Sequence, residues 1–126
     1  MSSTIMVINH EKEILNLFRD ILTDEGYQVV LSPLWTCTLG EVEQVNPNLI
    51  IIDHLFFGET RGWQFLQALK LSRTTAMTPI IVCTAVTKEV REIESDLEAK
   101  NICLLPKPFD IDDLLQAINL SLPLAR

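Results

Sequence analysis

Four short apolar runs limit most sharply what this chain can become: Ile5-Met6-Val7-Ile8, Leu49-Ile50-Ile51-Ile52, Ile80-Ile81-Val82-Cys83 and Ile102-Cys103-Leu104-Leu105. Each is too short for a helix, and isoleucine and valine dominate them. None alternates with polar residues. A strand without alternation is buried on both faces, as happens in parallel sheets covered by helices on each side. A fifth, weaker run, Tyr27-Gln28-Val29-Val30-Leu31, follows the turn signal Asp24-Glu25-Gly26.

The stretches between these runs have helical period. Ile14, Leu15, Phe18, Ile21 and Leu22 recur at three- and four-residue steps after Glu11. Trp63, Phe65, Leu66, Leu69 and Leu71 follow Gly62, and Val90, Ile93 and Leu97 punctuate a charged run. Ile111, Leu114, Leu115, Ile118 and Leu120 close the pattern, with Asp110 placed as an N-cap and Pro123 just past the end. Thr36 to Val45 reads as a weaker helix. The order is strand then helix, five times over. Alternating units of this kind give an α/β fold with a parallel sheet between two helical layers.

The 126 residues suit one domain, expected to span 1–126 with no output domain beside it. A mean hydropathy of +0.24 and 48% hydrophobic residues argue for a well-buried core and against disorder. Four-residue apolar runs fall far short of the roughly 20 residues of a membrane span, so no membrane partner is expected. No signal segment opens the chain, which reads as cytoplasmic. A net charge of −7 repels phosphate backbones, so direct nucleic-acid binding is not expected. Cys37, Cys83 and Cys103 are odd in number and lack CxxC spacing, which makes zinc and disulfide frameworks poor readings.

In open parallel sheets ligands sit outside the carboxyl ends of the strands. The first strand ends at Asn9-His10-Glu11, the third at Asp53, the fourth at Thr84-Ala85 and the fifth at Pro106-Lys107-Pro108-Phe109. A carboxylate, a hydroxyl and an ammonium therefore converge on one sheet edge. On the apolar strand closing at Asp53, the Thr84-Ala85 pair and Lys107-Pro108-Phe109, the chain resembles the receiver domain of bacterial response regulators from about Thr4 to Leu122. The resemblance implies a flavodoxin-like (βα)5 fold with strand order 2-1-3-4-5. It also implies a signalling switch rather than an enzyme. Asp53 would accept a phosphoryl group from a histidine kinase or phosphotransfer protein. Thr84 and Lys107 would contact that group, and the bond to Pro108 would be cis.

The chain departs from the family pattern at the metal corner. Receivers keep two acids at the end of the first strand, which with Asp53 hold Mg²⁺; here Asn9 and His10 stand there. Magnesium wants hard oxygen ligands, and imidazole is a poor one. With Glu11 the remaining neighbouring acid, Mg²⁺ is expected to bind weakly, leaving Asp53 its principal ligand. The loop after Asp53, His54 to Gly62, is one residue longer than usual, with Leu55 assigned the metal-facing carbonyl. Leu104 occupies the place of the family's rotating aromatic, so a tyrosine-type switch cannot operate. The last helix lacks the bases that pair receivers of transcription factors. Phe56 and Phe57 read either as packing or as a partner's anchor, and Trp63 as core.

Two functions stay open. One is a phosphoacceptor switch working through Asp53 with weak or atypical metal dependence. The other is a phosphorylation-independent pseudo-receiver that serves as a protein interaction module. A flavodoxin-like cofactor protein would want a phosphate-cradling loop after the first strand. Asn9-His10-Glu11-Lys12-Glu13 has two acids and no glycine, which sets that reading aside.

Overall fold

The computed structural model describes residues 3–9, 11–33, 37–53, 60–85 and 88–122. Five strands and five helices alternate: β1 (Thr4–Asn9), α1 (Lys12–Asp24), β2 (Gln28–Pro33), α2 (Leu39–Val45), β3 (Leu49–Asp53), α3 (Thr60–Leu71), β4 (Ile80–Ala85), α4 (Lys88–Ala99), β5 (Ile102–Lys107) and α5 (Ile111–Ser121). The strands form one parallel sheet in the order β2-β1-β3-β4-β5. That is the fold class and the order the sequence led us to expect.

The unalternated runs behave as their composition requires. Successive side chains of a strand point to opposite faces, and here each face has its own apolar layer. Ile5, Val7, Leu49, Ile51 and Ile81 pack with Leu15, Phe18 and Leu22 of α1 and with Leu114, Ala117 and Ile118 of α5. Met6, Ile8, Ile50, Ile52 and Val82 pack on the other side with Val42 of α2, Leu66 and Leu69 of α3 and Leu97 of α4. Because neighbouring strands are held in register, with Ile51 level with both Val7 and Ile81, the alternation is coherent across the sheet.

Two boundaries and two helix-face assignments differ from the sequence reading. The second helix begins at Leu39 rather than Thr36, because the Thr38 hydroxyl caps it, accepting from the Glu41 N–H at 3.2 Å. Strand β2 runs from Gln28 to Pro33 rather than from Tyr27 to Leu31. Leu71 and Leu120, counted on the apolar faces of their helices, are 85% and 79% exposed. Leu120 lies two residues beyond Ile118, about 200° around the helix and off the buried stripe. After α1 the chain turns through Gly26 at φ +94°, a conformation glycine adopts without the penalty of a Cβ.

Asp110 caps α5 as expected. Its Oδ1 accepts from the Asp113 N–H at 2.8 Å, and Asp113 Oδ2 accepts in return from the Asp110 N–H at 3.3 Å. Asp110→Ala should lower stability by about 1 kcal/mol, and Asp110→Asn by a few tenths. Urea unfolding of the two variants checks this; equal costs would mean that the cap does not act through its acceptor oxygen.

Candidate functional site

The sheet register brings the strand ends together. Ile8 is level with Ile52, so Asn9 and Asp53 are the next residues on adjacent strands. Asp53 is level with Cys83, Thr84 with Pro106 and Ala85 with Lys107. Adjacent strands lie about 4.8 Å apart, so β3 and β5 are separated by roughly 10 Å, a gap that a lysine on one can largely cross. Asn9, Asp53, Thr84 and Lys107 thus share the carboxyl edge of the sheet, although 98 positions of sequence separate the first from the last. The Lys107–Pro108 peptide bond is cis. Lys107 and Pro108 are exposed.

Asn9 is 5% exposed, and its side chain has a defined task. The Glu11 N–H donates to Asn9 Oδ1 at 2.9 Å, an Asx-type turn that joins β1 to α1. Glu11 itself is exposed, and its carbonyl accepts from the Leu15 N–H at 3.1 Å. His10, the acceptor loop from His54 to Glu59 with Leu55, Phe56 and Phe57, and the side chains of Asp53, Trp63 and Thr84 lie outside the described residues.

Magnesium, which the resemblance implies, does not suit the described part of this corner. Asn9 is neutral, and its side-chain oxygen, which accepts one backbone hydrogen bond, has only an uncharged carbonyl lone pair left to offer a metal. Among the described residues no three His, Cys, Asp or Glu side chains group as metal ligands. Mg²⁺ wants near-ideal octahedral oxygen and usually one or two carboxylates.

Other polar groups carried no sequence signal. Ser32 is wholly buried at the end of β2, and its hydroxyl donates to Glu41 Oε2 at 2.9 Å. Nine positions separate the two, a spacing that matches neither strand nor helix period. Burial pushes the neighbouring Cys37 thiol up, against a hydrogen bond with Ser32 and reinforced by the Glu41 charge. Burial also pushes Cys103 up, helped by Glu98 and Glu94. Cys83 is 3% exposed, and none of the three cysteines is in a disulfide. Reactive thiols need a lowered pKa and access, so Cys37 and Cys103 fit the packing role. Lys70 was also unsuspected. Its ammonium donates to the carbonyls of Thr78 at 2.7 Å and Ala76 at 3.3 Å, and burial pulls its pKa down.

Comparison with known proteins agrees with this geometry. Residues 5–119 match the family model of the response regulator receiver domain. Sporulation initiation phosphotransferase F of Bacillus subtilis is 27% identical over 124 residues, covering 98% of this chain and 97% of that protein. The phosphate regulon transcriptional regulatory protein PhoB of Escherichia coli is 26% identical over 118 residues, 94% of this chain. The chain spans about half (51%) of the PhoB length. Among solved structures, the chemotaxis response regulator CheY4 of Vibrio cholerae superposes with a TM-score of 0.80 at 23% identity, covering 97% of this chain and all of that one. Among the described residues no helix is long and apolar enough to cross a membrane. With five β-α units in the order 2-1-3-4-5 and a family match over nearly its whole length, the chain belongs to the response regulator receiver domains of two-component signalling.

Proposed function

We propose that this receiver accepts a phosphoryl group on Asp53 from a histidine kinase or a phosphotransfer protein, with little help from Mg²⁺. The observation that carries the reading is the sheet register, which sets Asp53 beside Asn9 and Cys83 and one strand from Lys107's. Phosphoryl transfer needs positioning and neutralisation of charge on the equatorial oxygens more than covalent chemistry from the protein. The Lys107 ammonium supplies a cation, and the Thr84 hydroxyl a hydrogen bond to a phosphoryl oxygen. Asp53 is modified once and then reset, so the domain is a switch and not an enzyme with turnover. Its output goes to another protein, since an acidic surface of net charge −7 disfavours nucleic acid.

A second reading, an interaction module that is never phosphorylated, draws on the neutral amide of Asn9, engaged in the turn to α1, where the family pattern has an acid. One experiment separates the two. The full chain is incubated with a small phosphodonor and Mg²⁺, and its intact mass is followed. Slow, partial addition of one phosphoryl group is expected. It should be alkali-labile, as an acyl phosphate is, and absent in Asp53→Asn. No addition under any condition would overturn the acceptor reading and leave the module.

A further inference from the structure

We draw no further inference here: the strongest candidate, the apolar patch at the amino edge of the sheet where the exposed Met77 rims a cleft lined by Pro47, Pro79 and Leu122, carries nothing because no feature of the structure shows what covers it.

Discussion

Ile51→Ala and Ile52→Ala should each cost about 3–4 kcal/mol of stability, and by nearly the same amount, although the two side chains point to opposite faces of the sheet. Each is 1% exposed. Ile51 sits between Val7 and Ile81 and packs with the α1 and α5 layer. Ile52 sits between Ile8 and Val82 and packs with the layer of α2, α3 and α4. Truncation at either removes transfer free energy and leaves a cavity on the central strand, where neighbours on both sides limit collapse. Against a whole-domain stability of roughly 5–15 kcal/mol, either loss is large, equivalent to a fall in melting temperature of roughly 10 °C or more. Leu120→Ala, at a side chain 79% exposed, should change stability by no more than about 0.5 kcal/mol. Urea denaturation of the three variants checks the set. A small cost at one of the two isoleucines would mean that the sheet is covered on one face only.

The same residues show why the fold was legible in advance. Four runs without a polar break demanded burial on both faces, and only helices on both sides of a parallel sheet provide it. The strand ends followed from the runs, which is why Asn9, Asp53, Thr84 and Lys107 could be assigned to one edge. The parts that were not legible depend on contacts without a period. Nothing in Leu31-Ser32-Pro33 announces that the Ser32 hydroxyl will meet Glu41, nor that Lys70 will cap the carbonyls of Ala76 and Thr78. Helix starts set by one hydroxyl, such as Thr38, shift by a few residues from any estimate based on apolar spacing. Asn9 illustrates the limit best. The sequence shows an amide where the family pattern has an acid, whereas its hydrogen bond from the Glu11 N–H is visible only in the structure.

Lys107→Met should slow labelling of Asp53 by about a hundredfold while leaving the fold nearly as stable as before. Lys107 ends β5 level with Ala85, is exposed, and precedes Pro108 and the capped α5. Methionine keeps most of the aliphatic stem, so what is lost is the charge and its donors. On the proposed reading of a site with little help from Mg²⁺, that ammonium is a main source of positive charge for the transferring group, and losing a preorganised donor of this kind typically costs two to three powers of ten in rate. Lys107→Arg restores a cation but with a planar fork in place of a compact point charge, so it should recover part of the rate. The rates come from intact mass at matched phosphodonor concentration, and melting curves show that the variants are folded. An unchanged rate in Lys107→Met, with the fold intact, would remove Lys107 from the site and shift the neutralising role to another group at the same sheet edge.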